Sequence, residues 1–212
     1  MFISLEGIEG CGKTTQLEYL SAFLAEKGRP YVVTREPGGT AIGKKVRSIL
    51  LDPASKELVP AAELLLYMAD RAQHIHSLIK PSLAEGNIVL CDRYFDATVV
   101  YQGYARGLDI GFIRDLHRIV LKDLKPDITL LLDLSPRIGL ARAWQELDSG
   151  NRSDAESRFE EEAISFHEKV RAGYLELARL EPGRFKIIDA SRPIDAVQVA
   201  IRNVLAAALD LS

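Results

Sequence analysis

Five short runs of large apolar and β-branched residues recur along the chain: Ile3–Leu5, Tyr31–Thr34, Ile88–Cys91, Ile128–Leu132 and Phe185–Ile188. Each ends beside a polar residue. Between them the apolar positions switch to a spacing of three and four. Leu17, Leu20 and Leu24 share one helical face. Phe159, Ala163, Phe166, Val170, Tyr174 and Leu177 share another, opposite Ile164, Glu168 and Arg171, and Ile194, Val197, Ile201, Val204 and Ala208 share a third. Strands alternating with helices predict an α/β fold of three layers, a five-stranded parallel sheet with helices on both faces. No internal repeat, low-complexity tract or linker divides the 212 residues, so one domain over 1–212 is expected.

In such sheets ligands bind beyond the carboxyl ends of the strands. The first run is followed by Gly7-Ile8-Glu9-Gly10-Cys11-Gly12-Lys13-Thr14-Thr15, then by a helical stretch from Gln16 to Glu26. This is G-x-x-x-x-G-K-T between a strand and a helix, the P-loop of nucleotide-binding sheets. Its glycines let backbone N–H groups turn in around a phosphate, and the helix aims its positive end at the same anion. Lys13 reaches toward β- and γ-phosphates, and Thr14 is a Mg²⁺ ligand. The chain therefore binds a nucleoside triphosphate. Cys11 reads as a small loop-filling residue rather than a redox centre.

The other strand ends carry further candidates. Thr34-Arg35-Glu36-Pro37-Gly38-Gly39-Thr40 is a stiff polar turn, and Asp92, Arg93 and Tyr94 follow the third run. Asp92 is placed to support Mg²⁺ or to cap a strand end. Arg93 is placed to hold a second phosphate bidentately or to form a structural ion pair. Asp133 and Asp189 end the last two runs, with the structural role favoured for both; Asp189-Ala190-Ser191 suits a loop against an adenine.

Pro60 marks the start of a helix over Ala61–Lys80. Tyr67 and Arg71 lie i, i+4 on it, a ring to stack on a base beside a guanidinium for a phosphate, or simply a packed pair. His74, one turn on, reads as structural, since nothing supplies it a partner for general-base work. Tyr101-Gln102-Gly103-Tyr104-Ala105-Arg106-Gly107 offers an amide to read a base edge, and its glycines indicate a tight or mobile turn. Trp144–Glu160 is the most polar stretch. It is either a solvated loop or the lid of a phosphoryl-transfer enzyme, with Arg142, Arg152 and Arg158 as candidates to meet the transferring phosphate.

Composition narrows the field. A net charge of −3, from 27 basic and 30 acidic residues mixed throughout, argues against a nucleic-acid partner. Cys11 and Cys91 form no disulfide pattern, which suits a reducing compartment. The N-terminus lacks a basic region and meets Glu6 at once, unlike a signal peptide, and Ile128–Leu132 is far too short to span a bilayer. A soluble cytoplasmic protein is expected.

Taken together, GIEGCGKTT, TREPGGT, the Asp92-Arg93-Tyr94 triplet, YQGYARGL from Tyr101 and KPDITLLLDLSP from Lys125 resemble, in order and spacing, bacterial thymidylate kinase over essentially the whole chain. The resemblance implies a nucleoside-monophosphate-kinase fold with a lid near 143–158, and a homodimer. It implies transfer of the γ-phosphate of ATP to dTMP with Mg²⁺. On the matching positions, Lys13 and the loop amides hold ATP phosphates, Thr14 and Asp92 serve the metal, and Arg93 and Arg71 clamp the acceptor phosphate. Tyr67 stacks on thymine, Tyr101 crowds the 2′ position of the sugar, and Thr98 and Gln102 lie near the base. Glu9 lies near the acceptor sugar and phosphate, and Glu36–Pro37 matches a cis peptide. One branch of the family carries an arginine inside the loop. With Gly10 there, this chain resembles the branch that supplies arginines from the lid. Asp96-Ala97 and Ser157 depart from the family's usual serine and aspartate. The alternatives are a kinase for another nucleoside monophosphate and, more remotely, a nucleotide-dependent switch.

Overall fold

A computed structural model of the chain describes residues 1–122, 124–149 and 157–209. All five expected strands form: β1 (Phe2–Glu6), β2 (Tyr31–Arg35), β3 (Ile88–Asp92), β4 (Ile128–Asp133) and β5 (Phe185–Asp189). Each runs one residue past its apolar run at the carboxyl end, which brings a polar side chain to the rim. The strands are all parallel, in the order β2-β3-β1-β4-β5. Every residue of β1 is buried, as are the first four of β3 and the first five of β4. Strands so placed have both faces covered, and that is why they read as continuous apolar runs.

The helices are α1 (Lys13–Glu26), α2 (Ala41–Leu51), α3 (Pro60–His74), α4 (Lys80–Ala84), α5 (Phe95–Thr98), α6 (Ile110–Leu121), α7 (Pro136–Asp148), α8 (Ile164–Leu180) and α9 (Ile194–Ala208). α1 packs on β1, β2 and β3, α9 on β5 and α1, and α8 on β4 and β5. No helix among the described residues is long and apolar enough to cross a membrane.

Three local expectations need correction. The helix expected over Ala61–Lys80 is interrupted by a π-helical turn at Ile75–Ile79. The turn expected over Tyr101–Gly107 forms only at its end: Val99–Ala105 is a second π-helical turn that continues α5, and the chain turns at Arg106–Gly107, with Gly107 at φ 80°. Gly103 is there for packing, since a Cβ on it would sit 3.1 Å from Ile110 Cγ1. Finally, α8 begins at Ile164, so Phe159 and Ala163 precede it. Phe159 still reaches the same core through a turn, with its ring 6.3 Å from that of Phe166.

Candidate active site

β1 lies between β3 and β4, so the loop after it opens at the point where the strand order reverses. Gly12, left-handed at φ 93°, caps α1 without a side-chain acceptor, and the first turn carries no acidic residue. Neither the cap nor the helix's own first turn thus competes for an anion at that helix end. The Lys13 ammonium donates to Gly7 O at 3.2 Å and Ile8 O at 2.9 Å, and lies 3.4 Å from Cys11 Sγ. Cys11 and Ile8 are core residues under the loop, and Thr14 and Thr15 are exposed. Gly10 faces α7 across a gap too narrow for any side chain.

Arg93 follows β3 in the left-handed region at φ 61°, a conformation that a non-glycine residue adopts only where its surroundings hold it. Its backbone N–H is fixed by Leu5 O at 3.0 Å. The guanidinium is thereby aimed at the loop. Nη2 donates to Gly7 O (3.1 Å), Glu9 Oε1 (2.9 Å) and Tyr101 Oη (3.0 Å). Tyr101 Oη donates to Glu9 Oε1 at 2.6 Å, and His167 Nδ1 lies 3.1 Å from Glu9 Oε2. Burial alone would raise the Glu9 carboxyl. Arg93, His167 and Lys13 outweigh it and hold the group well below the usual carboxylate range. Burial pushes the Tyr101 phenol up, so it stays protonated and donates.

The Glu36–Pro37 peptide is cis. Glu36 is buried and accepts from Arg71 Nε at 2.7 Å, and its other oxygen lies 2.9 Å from His74 Nδ1. His74 Nε2 meets Thr34 Oγ1 at 2.7 Å. His74 is thus held structurally, by Thr34 within β2 and by Glu36 just after that strand, and it acts as a brace for Glu36. Arg71 is buried with all three nitrogens engaged, by Glu36, by His117 Nε2 at 3.1 Å and by Tyr94 O at 3.2 Å. A Cβ on Gly39 would lie 2.4 Å from His74 Nε2, so the turn rests directly on α3. Asp133 pairs bidentately with Arg171, and Asp189 accepts from Ser191, both structural as favoured.

One cavity of about 430 Å³ joins these parts. It is lined by Glu9, Gly10, Gly12, Lys13, Thr14 and Thr15 of the phosphate loop, by Glu36, Pro37, Asp92 and Arg93, and by Tyr67, Arg71, Thr98, Tyr101 and Gln102. Asp92 Oδ1 is buried without a hydrogen-bond partner. Asp96 faces away and pairs with Arg184, which leaves Ala97 at the wall.

The lid candidates separate. Arg158 is buried: Nη1 donates to Leu50 O at 2.8 Å and Nη2 to Glu63 Oε2 at 2.5 Å. Arg142 is exposed on α7 and donates to Ala190 O at 3.4 Å, beside the loop after β5. Arg152 lies outside the described residues. Of the expected lid at 143–158, residues 143–148 are the last turns of α7.

Sequence reading missed Glu63, His167 and Arg47. Arg47, on α2, lines the cavity and donates to Pro37 O at 3.1 Å. Its signal was available, since it lies one turn past Gly43 on the helix opened by Thr40. Glu63 and His167 had none, because their partners are 39 and 158 residues away.

A family model described as thymidylate kinase matches residues 5–201. The chain belongs to the thymidylate kinase family. It is 57% identical to the thymidylate kinase of Desulfosudis oleivorans over 97% of this chain and 95% of that one. It is 51% identical to that of Geotalea daltonii over 96% and 95%. The crystal structure of thymidylate kinase from Ehrlichia chaffeensis superposes with a TM-score of 0.77 at 35% identity, covering 97% of both chains.

Proposed function

We propose that this chain transfers the γ-phosphate of ATP to dTMP, giving dTDP and ADP, and that the cavity holds donor and acceptor at its two ends. The observation that carries the reading is the continuity of that cavity. The P-loop, the two arginines Arg71 and Arg93, and a wall of tyrosine, threonine and glutamine line one chamber. A site for hydrolysis alone has no use for the second half.

Lys13 and the amides of Gly10–Thr15 would hold the ATP phosphates. Arg93 would clamp the acceptor phosphate, pre-aimed by its own backbone and by Glu9. Arg71, whose nitrogens already have partners, would contribute charge and a fixed wall rather than a moving clamp. Tyr67 would stack on the base, Thr98 and Gln102 would face its edge, and Tyr101 would stand against C2′ of the sugar. In-line transfer brings two polyanions together, so the protein's share is chiefly positioning and neutralisation.

The residues present also fit Mg²⁺. Such an ion takes one or two protein oxygens and the substrate's phosphates, and the unpartnered Asp92 oxygen and the Thr14 hydroxyl line the same cavity. When bound there, it would neutralise charge on the β- and γ-phosphate oxygens.

A homodimer is part of this proposal. Leu65 on α3 and Phe112 and Ile119 on α6 are large apolar side chains left exposed on helices that pack together. Cytoplasmic placement is likewise proposed, supported by two free thiols. The deciding experiment offers ATP with dTMP, dUMP, dCMP, UMP or CMP and follows ADP release. dTMP is expected to be preferred; a preference for UMP or CMP would overturn the reading.

A further inference from the structure

Glu63 lies on α3 behind the cavity wall, with no exposed surface. It does not line the cavity, but Gln102, which does, is tied to it: Gln102 Nε2 donates to Glu63 Oε1 at 2.8 Å. Two arginines hold the carboxylate in place. Arg158 Nη2 reaches Oε2 at 2.5 Å, and Arg106 Nε lies 3.5 Å from Oε1 while its Nη1 pairs with Glu162 at 2.6 Å. Phe159 packs beneath both guanidinium groups, 5.3 and 5.8 Å from its ring centre.

A carboxylate in an ion pair can only accept hydrogen bonds. A primary amide is asymmetric, with donors at one end and an acceptor at the other. Since Glu63 can bond only the NH₂ end, it fixes which way the Gln102 carboxamide points. The carbonyl end is left for the cavity. A pyrimidine whose N3 carries a hydrogen, as in thymine or uracil, can donate to that oxygen. Cytosine N3 is a bare acceptor and would meet the oxygen lone pairs head-on.

We infer that Glu63 is a specificity-setting positioning residue: by locking the Gln102 amide with its oxygen toward the base, it selects N3–H pyrimidine nucleotides and rejects cytidylates. The inference rests on the proposal above that Gln102 faces the acceptor base. A site committed to a hydrogen-bond donor discriminates strongly against a ligand that lacks it, because a buried polar group is then left unpaired.

The test uses Glu63→Gln in the full chain. A glutamine can turn its own NH₂ toward Gln102 and let that amide reverse. The ratio of kcat/KM for dTMP over dCMP is expected to fall roughly tenfold or more, with the dTMP to dUMP ratio unchanged because both bases carry N3–H. A loss of activity shared equally by all three acceptors would overturn the proposal and leave Glu63 as a packing residue. Arg106→Met, which loosens the same cluster but keeps the carboxylate acceptor, should retain the wild-type dTMP to dCMP ratio. A ratio that collapses there too would assign the discrimination to general rigidity and sink the role given to Glu63. Should Glu63→Gln fail to fold beside an uncompensated Arg158, Glu63→Gln combined with Arg158→Gln reads the same ratio in a neutral cluster. Gln102→Leu separates the two layers. If it leaves the ratio untouched, the placement of Gln102 at the base fails. If it abolishes discrimination while Glu63→Gln does not, only the inference about Glu63 fails.

Discussion

Gly10 and Gly139 meet backbone to backbone: a Cβ built on Gly10 would lie 1.9 Å from Gly139 O, and one on Gly139 would lie 2.5 Å from Glu9 O. The phosphate loop is thus seated directly on the first turns of α7. Gly10 also has φ +66°, a conformation that an L side chain rarely adopts. Gly10→Arg, the residue that other members of the family carry in the loop, is therefore expected to force loop and helix apart. Overpacking of this kind costs about 1–3 kcal/mol. A lower unfolding midpoint and a higher KM for ATP should appear together. A variant with unchanged values for both would show that α7 yields freely.

Lys13 already bonds two carbonyls of its own loop, so the ammonium sits inside the ring that would receive the phosphates. Removal of one preorganised electrostatic donor typically costs 10²–10³ in kcat. Lys13→Ala is expected to lose about that much in steady-state ADP release with its fold intact by circular dichroism. Turnover near wild type would undo the assignment of the loop.

Arg158 has a different standing from that of a mobile arginine reaching over the substrates. It forms a buried ion pair with Glu63. Breaking such a pair from one side costs about 3–5 kcal/mol, because the remaining charge is left uncompensated. Arg158→Ala is expected to lose that much stability in urea titration, along with kcat. A fall in kcat with an unchanged midpoint would instead make Arg158 a pure lid arginine, free to leave Glu63.

The fourth expectation concerns acid. Burial, with Arg71 and then Lys125 nearby, pushes His117 down to about 2 from its usual value near 6.5. Arg71 donates to its Nε2, which requires a neutral ring. Below about pH 6.5 the unfolded chain takes up a proton that the folded one refuses. The stability from this site is fully present above that pH and is lost as pH falls toward about 2, by roughly 1.4 kcal/mol per unit. His117→Gln keeps an acceptor for Arg71 but does not titrate. Its stability should fall less steeply between pH 6.5 and 5; identical slopes would show that His117 titrates as in free peptide.

The strands were legible because a parallel sheet buried on both faces writes itself as largely apolar runs, and Ile88–Cys91 is the plainest case. The phosphate loop was legible because its chemistry is local. Where reading failed, the cause was tertiary. The glycine at 103 signals a turn by propensity, yet the segment is a π-helical turn in which Gly103 lies close against Ile110 and Ile113. The apolar spacing carries Phe159 onto α8, but a turn tied to Leu50 and Leu51 delivers the same ring to the same core. The pairs that shape the candidate site join residues too far apart in sequence to announce each other: Glu9 with His167, and Glu63 with Gln102 and Arg158.

Arg35, Asp92 and Leu5 stand in one register across β2, β3 and β1. The turn that leads into Glu36 and the loop that leads into Lys13 therefore start two strand spacings apart, roughly 10 Å at 4.7–4.9 Å each. That separation is set by backbone ladders alone. Side chains along the cavity can be exchanged while the two loops that border it keep their spacing. The sheet is the ruler of the cavity, and the side chains decide only what is measured against it.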